Sequence, residues 1–159
     1  MSDERQVQEV MARYVRAADH RDEAALAALF ATTGKVEIFQ RIEGRHELVG
    51  TLDGPEAIGQ GIQLMRPHPL TGWSHHTTHD HLITVDGDHA TFDGQFIVFA
   101  ILGDRVPDGG WPAEAAGVQG TVTPIESGYY RPTLRRIDGT WKLDHHRIFG
   151  DLPYALPAA

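Results

Sequence analysis

Four histidines fall within seven residues, His75-His76-Thr77-Thr78-His79-Asp80-His81, and lead directly into the strand-like Leu82-Ile83-Thr84-Val85. Imidazole changes charge near neutral pH and is the commonest metal ligand. A cluster entering a strand therefore points to proton transfer or to a metal. For a metal, His79 and His81 with Asp86 make a His-x-His plus carboxylate set suited to iron, manganese or zinc. Against it, Asp86-Gly87 reads as a hairpin turn, and no His-Glu-x-x-His motif is present. The expectation is acid–base chemistry with no metal and no cofactor, and His79 is assigned to contact substrate.

Other side chains could share that chemistry. Asp19 ends an apolar stripe, near a helix C-terminus where the dipole and partial burial both disfavour its charge. A neighbouring imidazole would favour the carboxylate, which would in turn hold the ring in one tautomer. His145 shares an alternation with Trp141 and Leu143, so it is expected to face the interior and His146 to face out or into an interface. Tyr14 lies in the apolar stripe, Tyr130 shares a parity with Leu134, and Trp73 opens the histidine-bearing strand. These three are candidates for contact with substrate. A buried tyrosine hydroxyl needs a partner.

The elements that must position these residues follow from periodicity and turn signals. Val7, Met11, Tyr14 and Ala18 recur at helical spacing over residues 4–19. A second helix is expected over Glu23 to Ala31, with Asp22 as its N-cap. A strand over Lys35 to Ile42 and a weaker one over His46 to Leu52 come next. Gly54-Pro55 then suits the start of a third helix carrying Ile58, Ile62 and Met65. Long strands follow over Trp73 to Val85, Ala90 to Gly103, Gln119 to Arg136 and Trp141 to Phe149, with hairpin turns at Asp86-Gly87 and Asp138-Gly139. Trp111, in the loop 104–117, is placed to fold over a pocket mouth. Helices followed by hairpin-linked strands predict an α+β fold, with three N-terminal helices on a curved antiparallel sheet enclosing a pocket for a small ligand.

Bulk properties narrow the partner. The 159 residues suit one domain, with 151–159 as an extended C-terminal arm. The net charge of −8 argues against nucleic acid or an anionic membrane, both of which need clustered Lys and Arg. The lack of cysteine excludes disulfides, thiol nucleophiles and thiolate metal sites. The N-terminus has no signal-like apolar segment, and the longest apolar run, Phe96 to Leu102, is too short to span a membrane. A cytoplasmic protein acting on a small hydrophobic molecule is expected.

The element order resembles the nuclear-transport-factor-2-like, cystatin-like cone, and the local text resembles its SnoaL-like branch. The resemblance covers nearly the whole chain. It is carried by Arg13 to Asp22 with Ala-Leu-Ala-Ala-Leu-Phe30, by Gly54-Pro-Glu-Ala-Ile58, by the strand from His76 to Ala90, and by Tyr130 to Trp141. In dehydratase-like members an aspartate at the end of the first helix pairs with a histidine early in the third strand; Asp19 and His76 match those positions. Ala18 replaces the tyrosine that precedes that aspartate in such members. Steroid delta-isomerases carry a tyrosine matching Tyr14 as oxyanion donor, but Ile38 stands where they carry an aspartate base. The resemblance implies a cofactor-independent lyase or isomerase that works as a homodimer or homotrimer. His76 would be base, Asp19 its orienter, and Tyr14 or Tyr130 the donor to an enolate oxygen. A non-catalytic ligand-binding module and a non-catalytic dioxygenase subunit share the fold and are its rivals. His75, His79 and His81 share a parity with Ile83 and Val85, whereas His76 has the other. A β-bulge between His76 and Ile83 is therefore expected, since an extra residue reverses which face a strand presents.

Overall fold

The architecture is that of a computed structural model, which describes residues 1–155. The last residues of the expected C-terminal arm, 156–159, lie outside the described residues. Helix α1 (Asp3–His20) starts where Ser2 Oγ accepts from the Arg5 amide, and Asp3 and Glu4 place negative charge on its first turn. It buries Val7, Met11, Tyr14, Val15 and, in its last turn, Asp19. Arg21 closes it in the left-handed region (φ 55°), returning its amide to the carbonyls of Ala17 and Ala18. Helix α2 (Glu23–Ala28) opens where Asp22 accepts from the Ala25 amide at 2.9 Å.

Helix α2 stops short of the expected Ala31 because the sheet takes the next residues. Strand β1 runs over Phe30–Ile42, Phe30 pairs with Leu143, and the Leu143 amide donates to Leu29 O at 2.9 Å. The strand bends sharply at Gly34, where a Cβ would lie 2.8 Å from the Ala31 carbonyl oxygen. Strand β2 (Arg45–Asp53) returns antiparallel to β1. Helix α3 (Pro55–Gln60) has Pro55 in its first turn and continues into a 3-10 turn, Gly61–Leu64. Strands β3 (Gly72–Asp86) and β4 (His89–Gly103) form the longest hairpin.

The single strand expected over Gln119 to Arg136 is two: β5 (Gly120–Tyr130) and β6 (Thr133–Ile137). Pro132, which has no N–H for a ladder, separates them. Strand β7 (Thr140–Gly150) completes the sheet. Its order is β2-β1-β7-β5-β4-β3, with β6 pairing with β4 and β7. All pairings are antiparallel except β1 with β7. The two strands are far apart in the chain, so no hairpin turn fixes their relative direction. The core between helices and sheet is built on Val7, Met11, Phe92, Phe96, Leu134 and Leu143.

Three bulges set the inward face. In β3, His79 pairs with Gln95 and Leu82 with Asp93, so Asp80 and His81 oppose Gly94 alone, and Asp80 takes φ 52°. In β5, Ile125 is the extra residue between the pairs Phe99–Pro124 and Val98–Glu126. In β7, Asp144 is the extra residue between the pairs Leu134–Leu143 and Thr133–His145. Each reverses the parity of one strand. Ser74, His76 and Thr78 therefore share the inner face with Ile83 and Val85, which pack on the core.

Candidate active site

A cavity of about 670 Å³ lies between the sheet, α1, α3 and the segment 64–69. Its walls are mainly aliphatic, with Ile58, Ile62, Val98 and Ile148 among them. A groove of similar volume on the outer side of α1 and α2, beside Trp141 and Lys142, does not include His76.

His76 lines this cavity, and its ring meets Asp19, which is not itself part of the lining. His76 Nδ1 and Asp19 Oδ1 are 2.6 Å apart, and both side chains are 7% exposed. The carboxylate also accepts from Ser74 Oγ at 3.0 Å and from the His76 amide at 3.1–3.2 Å. Burial pushes Asp19 up, but the hydrogen bonds from the His76 ring, the His76 amide and Ser74 outweigh it and hold the carboxyl below its ordinary value. Asp19 is thus an anion that can only accept. The proton between the two groups therefore sits on Nδ1, and when the ring is neutral its lone pair is on Nε2. His76 lines the cavity, and its hydrogen bonds to the described residues use only its amide and Nδ1.

The α1 terminus is tied down from outside the pair. His68 Nε2 donates to the Asp19 carbonyl at 2.8 Å and stacks on Trp73 at 4.8 Å between centroids. Arg21 donates to the Ala18 and Arg66 carbonyls, which fastens the segment before β3 to the end of α1. Asp22, by capping α2, leaves Asp19 free of any turn role.

Tyr14 and Tyr130 line the same cavity, with ring centroids 5.7 Å apart. Burial raises both phenols well above their ordinary value, and the nearby Glu126 charge adds to this. Both stay protonated at neutral pH and are available as neutral donors. Trp73 also lines the cavity, and Ile38 supplies part of its apolar wall.

Two expected site residues are elsewhere. His79 points away from the cavity; its ring is 42% exposed and its Nδ1 lies 3.1 Å from Asp80. The β3 bulge follows it, so it keeps the outer parity opposite to His76. His145 is likewise outside, 2.7 Å from Glu37. The Asp144 bulge moves the interior position to His146, which is fully buried against Tyr14 and Tyr130 at 4.6 and 5.1 Å. Neither nitrogen of His146 has a partner among the described residues, and burial drives it down to about 3. The expectation that His146 faces out is reversed by one inserted residue. His81 turns toward α1, with Nδ1 3.1 Å from Gln8 Nε2. Among the described residues, no group of three or more His, Asp or Glu side chains is placed to hold a metal ion. Trp111 is 41% exposed and does not line the cavity. No helix among the described residues is long and apolar enough to cross a membrane.

Sequence reasoning passed over Ser74 and Glu126. Ser74 had a usable signal, since it lies two residues before His76 and so on the same face. Glu126 had none, because its orientation depends on the bulge at Ile125.

The sequence model of the SnoaL-like domain matches residues 1–147. Comparison with curated proteins gives no match. Among solved structures, the chain is similar to a nuclear-transport-factor-2-like protein with a cystatin-like fold from Novosphingobium aromaticivorans (24% identity, 96% of this chain and 84% of that one, TM-score 0.67). It is similar to a cystatin-like protein of unknown function from Nostoc punctiforme (21% identity, 98% and 94%, TM-score 0.66). It is also similar to ActVI-ORFA from Streptomyces coelicolor (15% identity, 92% and 96%, TM-score 0.66). At these identities the likeness is one of fold.

Proposed function

This chain belongs to the SnoaL-like domain family; from that membership and the buried Asp19–His76 pair we propose a cofactor-independent lyase or isomerase acting on a small hydrophobic carbonyl compound. The 2.6 Å contact carries the reading, because it fixes the imidazole tautomer and leaves Nε2 as a base at an apolar cavity. His76 Nε2 takes a proton from the carbon beside the carbonyl. The C–H electron pair moves into the new double bond, and the carbonyl π pair becomes the enolate oxygen. Tyr14 or Tyr130 donates to that oxygen, and the Asp19 anion stabilises the imidazolium as it forms. From the enolate, expulsion of a β-hydroxyl with return of the proton from Nε2 releases water. Return of the proton to a different carbon gives an isomer instead.

This reading can be tested before the substrate is known. Small aromatic ketones incubated with the protein in D₂O should exchange their α-hydrogens, as followed by proton NMR. His76→Gln should slow that exchange by about 10²–10⁴-fold, the usual worth of a positioned base. Equal rates in parent and variant would remove His76 as the base. Binding of the ketones without exchange would favour a non-catalytic ligand-binding module.

The assembly proposed is a homodimer or homotrimer formed through the outer face of the sheet. Phe39 stacks on Phe149 there at 4.8 Å, and Arg131 lies over Tyr129 and Phe149.

A further inference from the structure

We propose that Glu126 is a second polar pole of the cavity, which selects substrates carrying a hydrogen-bond donor, such as a phenol or alcohol, at the end remote from the carbonyl. The inference rests on the cavity being the substrate site and deepens that reading by naming a substrate class.

Strand register supplies the geometry. His76 pairs with Val98 across β3 and β4, and Val98 pairs with Glu126 across β4 and β5. Directly paired residues project to the same face. His76, Val98 and Glu126 therefore form one transverse row, and all three line the cavity. Two interstrand steps separate the outer members, which places their backbones roughly 10 Å apart. The middle member is an apolar floor, only 3% exposed. Base, flat apolar floor and carboxylate thus lie in line, at the length of a fused two-ring skeleton.

The carboxylate is held in place by the C-terminal arm. Tyr154 Oη donates to Glu126 Oε1 at 2.5 Å, and the Tyr154 amide donates to Gln40 Oε1 at 2.9 Å. Asp151 clamps the start of the arm, donating its amide to Ser127 O and accepting from Ser127 Oγ. Gly150 makes room for the tyrosine, since a Cβ there would lie 2.4 Å from Tyr154 Oη. One oxygen of Glu126 is engaged in this way, and the other has no partner among the described residues. An anchored carboxylate with a free oxygen at the cavity can accept from a ligand hydroxyl, a charge-assisted bond stronger than a neutral one.

Two probes of nearly the same shape test this: an acetyl-naphthol with its groups at opposite ends of the ring system, and its methyl ether, which cannot donate. Dissociation constants are read from the naphthalene fluorescence at fixed pH. The parent should bind the naphthol about 10- to 100-fold more tightly than the ether. That preference should fall to near unity in Glu126→Ala and weaken in both Glu126→Gln and Tyr154→Phe. A parent that binds both probes equally would overturn the proposal, as would a preference that survives Glu126→Ala. If neither probe binds, the apolar cavity is not open to such a skeleton and the proposal also fails. Should Glu126→Ala not fold, the near-isosteric Gln variant decides alone. Because this measurement reads binding, its failure leaves proton abstraction by His76 standing. Conversely, absence of ketone exchange leaves the probe preference standing.

Discussion

One hydrogen bond separates the proposed base, His76, from an ordinary buried imidazole. Asp19 gathers its four contacts from Ser74 and His76, so it stays ionised in a place where burial alone would neutralise it. Replacing it with Asn removes that anion and no longer requires the proton to sit on Nδ1. Asp19→Asn should therefore reduce ketone exchange about as much as loss of the histidine, by about 10²–10⁴-fold, with a circular dichroism spectrum like the parent's. His146 is the opposite case, an imidazole with no partner at either nitrogen among the described residues. Its folded value of about 3 lies below the unfolded 6.5, so between those values the unfolded chain binds the extra proton. Stability from this residue is complete above pH 6.5 and is lost as pH falls toward 3, at up to about 1.4 kcal/mol per pH unit. Asp19, also depressed, contributes nothing to the slope until pH falls to its unfolded value near 3.8. Urea unfolding from pH 7 to pH 4 should show a steeper slope in the parent than in His146→Leu, where the slope left over includes that of His81, which burial also lowers. A parent and variant with equal slopes would contradict this assignment.

At the level of elements, caps hold the helices and bulges aim the strands. Asp22 accepts the Ala25 amide, so Asp22→Ala should cost about 0.5–2 kcal/mol in chemical denaturation. Strands β5 and β7 approach so closely that a Cβ on Gly128 would sit 2.0 Å from the Phe149 carbonyl oxygen. That contact is with backbone and cannot be relieved by a rotamer change. Gly128→Ala should lower stability by at least the roughly 1–3 kcal/mol typical of overpacking, read as a drop in the denaturation midpoint. The bulges act differently, because one inserted residue decides a whole face. Asp80 lets His76 and Ile83 both face inward, Ile125 turns Glu126 to the cavity, and Asp144 exchanges His145 for His146.

The whole molecule supplies what no element has alone, a hollow of about 670 Å³ closed by α1, α3 and the sheet. That volume is within the usual range for sites that enclose a small ligand. Val98 is the floor between His76 and Glu126. Val98→Phe should fill the hollow and weaken binding of aromatic ketones by at least about 10-fold, a change worth about 1.4 kcal/mol. Unchanged affinity, read from tryptophan fluorescence, would show that ligands bind elsewhere. Asp19 and His76 are 57 positions apart in the chain, and Glu126 lies a further 50 from His76; only closure of the cone brings His76 and Glu126 to one cavity with Asp19 behind the His76 ring.

The chain itself determines the helical stripe of α1, the caps at Ser2 and Asp22, the hairpin turns and the family resemblance, because these depend on residues a few positions apart. Asp19 and His76 were legible through that resemblance, and the inward turn of His76 required a bulge that the alternation of Ile83 and Val85 already demanded. The roles of His145 and His79, the break at Pro132, the parallel pairing of β1 with β7 and the inward turn of Glu126 were not legible. Parity along a strand is local, but the place where it reverses is set by the partner strand. In β7 the Asp144 bulge exists because Leu143 and His145 pair with adjacent residues of β6. Which histidine enters the core is therefore settled only when the sheet is assembled.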